Sequence, residues 1–412
     1  MTAYRRISIG ELVAAGEAEL KTGPFGTQLK ASEYVEHGTP VINVRNIGFG
    51  ILKEDKLEFI SQATRERLSS HVLRSGDIVF GRKGAVERHV FIRKEQDGWF
   101  QGSDCLRMRF ISERVESIFA SYYFLTEDHQ RWMMNQCSHG ATMSSLNQGI
   151  LERIEFPLPP LQIQRRIAGI LSAYDDLIEN NQRRIKILEE MARSLYREWF
   201  VHFRFPGHEK HPRVSSPLGE IPQGWEVKKL GEACTLTMGQ SPKSEFYNED
   251  GEGLPFHQGV TNFGDRFPTD HLFCTVAGRL AHPGDILFSV RAPVGRMNFA
   301  NRTMILGRGL SSIRFLKGSQ AFLWEQLRNR FTKDDMIGNG AIFASVTKDD
   351  MSSIPILCPS EKTVQFATEQ LEPIHSQIAG LSQQVQNLRR TRDLLLPRLL
   401  SGQIDVEALG NV

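Results

Sequence analysis

The amino-acid sequence carries the same pattern twice, and this repetition limits the possible folds more than any other feature. Five residues recur at an offset of 200 (340 − 140): Gly140, Ala141, Ser145, Ile154 and Pro159 return as Gly340, Ala341, Ser345, Ile354 and Pro359. Six upstream residues recur at 208 (284 − 76): Gly76, Asp77, Ile78, Phe80, Val86 and Arg88 return as Gly284, Asp285, Ile286, Phe288, Val294 and Arg296. A repeat of about half the 412 residues can bury a core of its own. The chain is therefore predicted to contain two similar domains that contact one partner twice.

The composition is that of an ordinary globular protein, with 40% hydrophobic and 24% charged residues. No apolar run approaches the roughly 18 to 20 residues of a membrane span, and no apolar signal core follows the N-terminus, so we expect a cytoplasmic protein. The five cysteines form no C-x-x-C pair, so we expect neither a disulfide framework nor a zinc site. A pI near 8.2 leaves the partner undecided, because a strong nucleic-acid footprint typically brings a pI above about 9.

Each repeat has the pattern of a mixed α/β (α+β) domain. Glycine-punctuated turns precede short apolar runs such as Asp77–Phe80 and its counterpart Asp285–Val290, which predict strands. A helical stretch follows in each copy, around Ser117–Met134 and Ala321–Phe331.

After each domain the apolar spacing changes to alternating steps of three and four residues, which predicts two long helices with coiled-coil seams. The first seam is Ile167, Leu171, Tyr174, Ile178, Asn181, Ile185, Leu188, Ala192, Leu195 and Trp199. The second is Val364, Ala367, Leu371, Ile374, Ile378, Leu381, Val385, Leu388, Arg392, Leu395 and Leu399. Asn181 and Arg392 either set the register or face solvent. Pro373 should kink the second helix or begin its main body.

Two lone helices with exposed apolar stripes would aggregate, so we expect them to pair as an antiparallel coiled coil. The predicted boundaries are a first domain at 1–157, a first spacer helix at 158–205, a linker at 206–217, a second domain at 218–358 and a second spacer helix with the C-terminal tail at 359–412.

Motifs for catalysis are missing from the sequence. It has no G-x-x-x-x-G-K-[ST] phosphate loop, no H-E-x-x-H, no G-x-S-x-G, and no Asn-Pro-Pro-Tyr or Asp-Pro-Pro-Tyr tetrapeptide. We therefore expect no catalytic, cofactor-binding or metal-binding residues in this chain.

Several segments resemble the specificity subunits of type I restriction-modification systems. Residues 140–147 (GATMSSLN), running into 154–160 (IEFPLPP) and 164–167 (QRRI), resemble the passage from a target-recognition domain into a long helix in that family. Residues 221–226 (IPQGWE) with 239–242 (GQSP) resemble the opening of a recognition domain, and 394–405 resemble the closing segment. The resemblance covers both halves and both helices.

This resemblance implies a binding subunit without activity of its own. Each domain would read one part of a split double-stranded DNA sequence, and the helix pair would act as a ruler for the unread gap. Two modification subunits would dock on the helices and supply S-adenosylmethionine and adenine methylation. Restriction subunits would supply cleavage driven by ATP and Mg. Two similar domains on one face of B-DNA should contact sites roughly 34 to 36 Å apart.

Candidate DNA-binding residues are polar and basic positions in the predicted loops. They are Thr22, Gln28, Lys30, Arg45, Asn46, Arg82, Lys83 and Arg88 in the first domain, and Gln240, Lys243, His257, Gln258, Asn262, Arg291, Arg296 and Arg308 in the second. Residues shared by the repeats favour the fold or phosphate contacts, whereas divergent ones such as Lys83 and Lys243 favour base reading. Arg82, Lys83, Arg88, Arg93 and Lys94 form a basic cluster, for which a solvated strand edge is the favoured interpretation when the cluster is taken alone.

Apolar residues outside the first seam suggest a second face for docking another protein: Ile170, Leu177, Ile187, Met191, Phe200 and Phe203. Packing against the two domains is the competing explanation. A two-headed protein scaffold without DNA recognition also stays open as a function.

Overall fold

The structure is a computed structural model that describes residues 4–137, 145–316, 318–332 and 345–406. The repeat members Gly140, Ala141, Gly340 and Ala341 and the motif residues Thr142, Met143 and Ser144 lie outside these ranges. The chain divides into two compact units, which comprise Met1–Leu177 with Asn387–Val412, and Ile178–Gln386. Both long helices contribute to both units. This division runs through the helices and does not test the domain boundaries predicted from the sequence, which stay predictions.

The first unit is built on short strands. They are β1 (Arg6–Ser8), β2 (Ala18–Thr22), β3 (Tyr34–Val35), β4 (Thr39–Ile42), β5 (Phe49–Gly50), β6 (Glu58–Ile60), β7 (Ile78–Gly81), β8 (His89–Phe91), β9 (Phe100–Gln101), β10 (Cys105–Phe110) and β11 (Glu155–Pro157). They form a sheet of order β2-β10-β7-β8-β5, a second of order β3-β6-β4-β9, and the pair β1-β11. Most neighbours are antiparallel, while β5 with β8 and β4 with β9 are parallel.

Helices cover these sheets and lead out of the domain. The short ones are α1 (Ile9–Ala14), α2 (Gln62–Arg67), α3 (Ser117–Phe124), α4 (Glu127–Cys137) and α5 (Gln148–Glu152). The long helix α6 (Leu161–Tyr196) follows, and its last turns continue as the π-helical segment Arg197–Val201.

The second unit repeats this plan. Its strands are β12 (Arg213–Ser216), β13 (Gly219–Pro222), β14 (Glu226–Lys229), β15 (Cys234–Met238), β16 (Tyr247–Asn248), β17 (Leu254–His257), β18 (Phe273–Cys274), β19 (Leu280–Ala281), β20 (Ile286–Ser289), β21 (Met297–Phe299), β22 (Met304–Leu306), β23 (Leu310–Phe315) and β24 (Pro355–Cys358). The sheets have orders β15-β23-β20-β21 and β16-β18-β17-β22-β19, with the pairs β14-β24 and β12-β13. Its helices are α7 (Leu230–Ala233), α8 (Gln320–Thr332), α9 (Lys348–Ser352) and the long α10 (Glu361–Leu400).

The segment predicted as a linker is partly ordered structure. It contains a 3-10 turn, His208–Lys210, and the first strand of the hairpin β12–β13. Phe205, directly before it, is buried against the Trp225 ring, with centroids 4.9 Å apart. An aromatic side chain thus ties this segment to the core of the second unit.

The repeated Gly-Asp-Ile signature folds into the central strand of each domain. Ile78 and Phe80 of β7 face one core while Val79 faces another, so the strand is buried on both sides. Before it, Gly76 adopts a φ of 95°, a left-handed conformation that suits glycine. Asp77 then accepts two bonds from the Arg109 guanidinium at 2.6 and 2.7 Å. The signature therefore serves the fold.

The second domain reproduces this arrangement. Ile286 and Phe288 enter one core and Leu287 another, and Asp285 accepts from Arg314 Nε at 2.6 Å. The prediction of two similar mixed α/β domains is confirmed.

The two long helices pair through the predicted seams. In the first unit Ile167 and Leu171 of α6 share a core with Leu396 and Leu399 of α10. In the second unit Asn181 of α6 donates to Gln384 of α10 at 3.3 Å. Trp199, in the π-helical segment that continues α6, stacks on Phe366, which lies earlier in α10. The helices are therefore antiparallel, and every residue of both predicted seams is buried or half-buried.

The polar seam residues have partners across the helix pair. Asn181 is buried beside Gln384, and Arg392 donates to Asp175 at 2.6 Å. These contacts favour the interpretation that they set the register over solvent exposure. Helix α10 begins twelve residues before Pro373 (373 − 361) and runs through it, so proline does not begin the main body of this helix. Within the described ranges, no helix has the length and apolar character required to cross a membrane.

Two buried histidines in the first unit make its stability depend on pH. His129 packs between Phe124 and Trp132, with ring centroids 4.9 and 6.1 Å away, and burial lowers its pKa to about 3. Burial lowers the pKa of His89 to about 3 as well. The unfolded chain takes up these protons below about pH 6.5, but the folded chain does not until near pH 3. Stability is therefore lost as pH falls through that window.

We expect His129→Phe to reduce this acid sensitivity, because a phenyl ring keeps the packing and cannot be protonated. At pH 5 one such histidine costs up to about 2 kcal/mol of folding free energy. Calorimetric unfolding of the full chain at pH 7.5 and pH 5 should show a smaller loss for the variant than for the wild type. His37→Gln, at an exposed histidine, is the control. An equal loss in His129→Phe and wild type would contradict the explanation.

Candidate nucleic-acid interface

In the first domain, three loops meet where β2 and β7 end and β10 begins. Gly23 donates its N–H to Cys105 O at 2.9 Å, and a Cβ at Gly23 would lie 2.0 Å from Gly102 O, so only glycine fits. The loop after β7 is fastened in turn, because Arg82 N donates to Asp104 O and Leu146 N donates to Arg82 O, both at 2.8 Å.

These bonds bring together polar side chains that are far apart in sequence. We call this set the first loop cluster: Thr22, Asn43, Arg82, Lys83, Ser103 and Asp104. Lys83 Nζ lies 3.4 Å from Asp104 Oδ1, and both side chains are about half exposed, at 55% and 52%. Gln148, on α5, donates to Thr22 Oγ1 at 3.3 Å.

The second domain closes the corresponding loops with the same bonds. Gly239 donates to Leu310 O at 2.9 Å, and a Cβ there would lie 2.1 Å from Gly307 O. Val290 donates to Gly309 O at 3.0 Å and accepts from Val346 N at 2.8 Å. We call the side chains gathered here the second loop cluster: Gln240, Gln258, Arg291 and Arg308, all exposed.

Matching bonds align the two clusters residue by residue. Lys83 and Arg291 each form a bridge to a serine, Ser145 and Ser345, so they occupy one position at the offset of 208 (291 − 83). Cys105 and Leu310 accept the same glycine bond, which sets an offset of 205 (310 − 105) for this loop and places Ser103 opposite Arg308 and Asp104 opposite Gly309.

A third bond completes this alignment. Gly102 donates to Ile42 O, and Gly307 donates to His257 O, so Asn43 lies opposite Gln258. Equivalent positions therefore share one cation and differ at their other polar side chains.

Two of the predicted DNA-binding residues are buried, which corrects the prediction for them. Asn46 has no exposed surface, since it accepts from Asn43 N and donates to Lys53 O and Asp55 O. His257 is 1% exposed and bonds Asp270 at 2.9 Å. Asn46 therefore satisfies backbone groups of its own loop, whereas His257, the last residue of β17, bonds a carboxylate, and neither side chain faces solvent.

The remaining candidates lie on loops with different degrees of exposure. Arg88 is half-buried, with its guanidinium 5.1 Å from the centroid of the exposed Phe49 ring. Arg45 pairs with Glu58 at 2.8 Å, and Lys243 approaches Glu245 at 3.7 Å. The others are exposed or half-buried: Gln28, Lys30, Asn262 and Arg296. Nothing in the described contacts brings these four into the loop clusters.

The residues predicted for partner docking fall into two groups. Leu177, Ile187 and Met191 are each 52% exposed on α6. Phe200 is 3% exposed, with its ring 4.8 Å from Phe322, so it belongs to the core of the second unit and is withdrawn from the predicted surface. The half-buried Ile170 and Phe203 pack against the cores of their own units.

Some cluster residues were missed by the sequence reasoning. Asn43, Ser103 and Asp104 of the first cluster, and Gln148 beside it, belong to no motif. The segments Gly102-Ser103-Asp104 and Gly307-Arg308-Gly309 share only one glycine. Aligning the repeats through that glycine would have found the pair Ser103 and Arg308. Among the described residues, no group of three His, Cys, Asp or Glu side chains could hold a metal ion.

Comparison with known proteins assigns the family. The model of the type I restriction modification DNA specificity domain matches the chain twice, at residues 25–190 and 222–387. The chain belongs to this family. The first match contains the first loop cluster except Thr22, the second contains the whole second loop cluster, and each includes part of a long helix.

Relatives of similar length support the assignment. The chain is 29% identical to the type I restriction enzyme MjaX specificity subunit of Methanocaldococcus jannaschii, over 90% of this chain and 88% of that protein. It is 22% identical to the type I restriction enzyme HindI specificity subunit of Haemophilus influenzae, over 81% and 87%. The crystal structure of the type I restriction-modification S subunit from M. genitalium has the same fold, at a TM-score of 0.61, 16% identity and 96% coverage of both chains.

The alignment of the two clusters changes the role expected for Lys83. As a divergent residue it was a candidate for reading bases, but it stands opposite another cation, Arg291. A cation retained in both domains suits phosphate, which is the same at every site, whereas base reading requires differences between domains. Weak surface pairing with Asp104 would not prevent such a contact.

We expect Lys83→Gln and Arg291→Gln to weaken binding of duplex DNA by the assembled complex equally for all sequences. Each should lower the slope of log K against log salt by about 1, because one phosphate contact is lost. Fluorescence anisotropy titrations at several salt concentrations measure this slope. Arg131→Gln, at an exposed arginine of α4, is the matched control. Unchanged slopes for both loop variants would exclude these contacts.

Proposed function

We propose that this chain is the non-catalytic subunit that gives a type I restriction-modification complex its DNA sequence specificity, with each domain reading one half of a split target. The observation that supports it best is the pair of equivalent loop clusters. The second cluster is exposed throughout, and the first exposes Lys83 and Asp104 beside four half-buried members. Each cluster is held by the same backbone bonds around glycines that permit no side chain. The family assignment and the named relatives favour this function over the two-headed protein scaffold.

The backbone bonds matter for recognition because they preorganise the loops. Reading a base requires a donor or acceptor held at a defined position, and a loop fastened at both ends loses less entropy on binding. Side chains could then vary without changing the loop path. Lys83 and Arg291 would position the DNA backbone in both domains.

The differing side chains supply the chemistry for reading different bases. In the second cluster, the Arg308 guanidinium suits the two acceptors of guanine and the Gln258 amide suits adenine. In the first cluster, the Asp104 carboxylate can only accept hydrogen bonds and suits the amino group of cytosine. The two domains would therefore read unlike half-sites with the same fold.

The long helices are proposed to carry two modification subunits. Their seams are buried in the helix pair, so the exposed Ile187 and Met191 are apolar surface beyond what the pairing uses. The i, i+4 spacing puts both on one face of α6, a typical pattern for docking another protein. S-adenosylmethionine, ATP and Mg are proposed to bind the modification and restriction subunits. The cytoplasmic location stays a prediction.

Selection of DNA from a random duplex library by the assembled complex tests the proposed specificity. We expect enrichment of two short sequences at a fixed separation, since two domains in one chain read two sites. Arg308→Gln should relax preference within one half only, by about 1 to 3 kcal/mol at the base it reads. A complex that enriches no sequence would favour the scaffold function.

A double variant tests the docking surface. Ile187→Lys with Met191→Lys should abolish stable association with the modification subunit, because two charges would be buried in an apolar contact. Size-exclusion chromatography with light scattering measures the complex. Gln182→Lys with Ser194→Lys adds the same charge at exposed polar positions of α6 and should leave association intact. Association unaffected by the first pair would place the docking surface elsewhere.

A further inference from the structure

We propose that one polar lock in each unit fixes the recognition domain on its own long helix, and that these locks set the unread gap that the subunit accepts between half-sites. The positions concerned are Tyr122 with Asp175, and Glu325 with His375. This inference rests on the proposed function, because a gap exists only if both domains read DNA.

The first lock joins three helices at one carboxylate. Tyr122, on α3, is buried, and its hydroxyl donates to Asp175 Oδ2 on α6 at 2.6 Å. Arg392, on α10, donates to Asp175 Oδ1, also at 2.6 Å. Burial, and next the nearby Asp175 carboxylate, raise the pKa of Tyr122, so the hydroxyl stays protonated and remains a donor. One turn of α6 is thereby tied to the domain and to the other helix.

The second lock uses an imidazole where the first uses a carboxylate. His375, on α10, is 4% exposed, with Nδ1 3.0 Å from the Arg266 guanidinium and Nε2 3.1 Å from Glu325 Oε1 on α8. A guanidinium only donates, so Nδ1 must accept and the ring proton lies on Nε2, where it is donated to Glu325. Arg266 also lies over the Phe299 ring, 4.6 Å from its centroid.

The two locks occupy equivalent positions of the repeat. Helices α3 and α8 begin at Ser117 and Gln320, an offset of 203 (320 − 117), which is also the offset of Tyr122 and Glu325. Helices α6 and α10 begin 200 residues apart (361 − 161), as are Asp175 and His375. The same two points of contact between domain and helix therefore carry polar groups in both units.

The direction of hydrogen bonding is reversed between the locks. In the first, the domain donates to a carboxylate on the helix, whereas in the second the helix donates to a carboxylate on the domain. A glutamate at 122 would face Asp175 and place two carboxylates together, which is unfavourable. Each domain is thus matched to its own helix by chemistry that the other helix does not offer.

This chemistry indicates a role in orientation. An apolar pair of the same size would stabilise a buried contact at least as well, but it would tolerate sliding and rotation. A directed hydrogen bond to a single carboxylate or imidazole fixes one orientation of the domain on its helix. The DNA-reading loops lie on the domains, and the helices set the distance between the domains. The orientation of each domain on its helix therefore determines which length of unread DNA between the half-sites is accepted.

The first experiment removes one bond with little change in shape. Tyr122→Phe keeps the ring and loses the donor to Asp175, while Tyr123→Phe, the matched control, removes a hydroxyl that accepts from Arg6 within the same domain. The assembled complex is titrated with its selected target and with duplexes whose gap is one base pair longer or shorter. Tyr122→Phe should lower the preference for the native gap about fivefold, and Tyr123→Phe should leave it unchanged.

The second experiment tests whether the chemistry itself matters. Tyr122→Glu and Asp175→His should each reduce gap preference about tenfold, and the double variant should restore most of it, because glutamate and histidine reproduce the second lock. Preference among bases within each half-site should stay as in the wild type throughout.

The outcomes separate this inference from the proposed function. Lower affinity of Tyr122→Phe for all three gap lengths alike, or no rescue in the double variant, would show that the lock only supports folding and would overturn the inference. Wild-type complex that binds all sequences equally would instead overturn the proposed function. Loss of gap preference with intact base preference supports both.

Discussion

The burial of two long apolar seams against each other is the interaction on which the rest of this structure depends. Each seam alone would expose a stripe of leucine, isoleucine and valine over the whole length of a helix. Pairing α6 with α10 removes both stripes from water, and it does so with segments that lie about 200 residues apart (361 − 161). The pairing brings the C-terminal helix into the first unit, so each unit contains parts of both helices.

Comparison of equivalent positions in the two domains distinguishes residues that maintain the fold from residues that read a ligand. Asp77 and Asp285 each accept from an equivalent arginine, Arg109 or Arg314, because the fold requires this pair in both copies. Gly23 and Gly239 likewise make equivalent close backbone contacts. Ser103 and Arg308 occupy one position with unlike chemistry. Selection for two different half-sites would produce this contrast: an identical frame with different side chains at the points of reading.

Sequence reasoning recovered the features that leave a local signature. The seams were predictable because apolar residues at alternating steps of three and four mark a buried helix face, and every one of those residues is buried or half-buried. The apolar run at Asp77–Phe80 predicted a strand, and β7 lies at that position. Repetition of a whole domain was visible because matched glycines and aspartates keep their spacing.

The candidate site was predicted less well, because exposure and partnership depend on contacts between distant segments. Asn46 and His257 look like other polar candidates in the sequence, and only the structure shows that Asn46 bonds backbone groups of its own loop and that His257, at the end of β17, bonds Asp270. Phe200 continues an apolar pattern on α6 but packs on Phe322 of the domain. The equivalence of Lys83 and Arg291 was already contained in the offset of 208 that relates Phe80 to Phe288, and the matching bridges to Ser145 and Ser345 agree with it. The pairing of Ser103 with Arg308 required the backbone bonds, because the offset changes to 205 in that loop.

Mapping of methylated adenines in genomic DNA tests the central claim most directly, when it compares cells that carry the native chain with cells in which the first domain alone is exchanged for that of a relative. The account predicts a split methylated sequence in which one half changes and the other half and the gap are kept. A map in which both halves change together, or in which no split sequence depends on this chain, would contradict it.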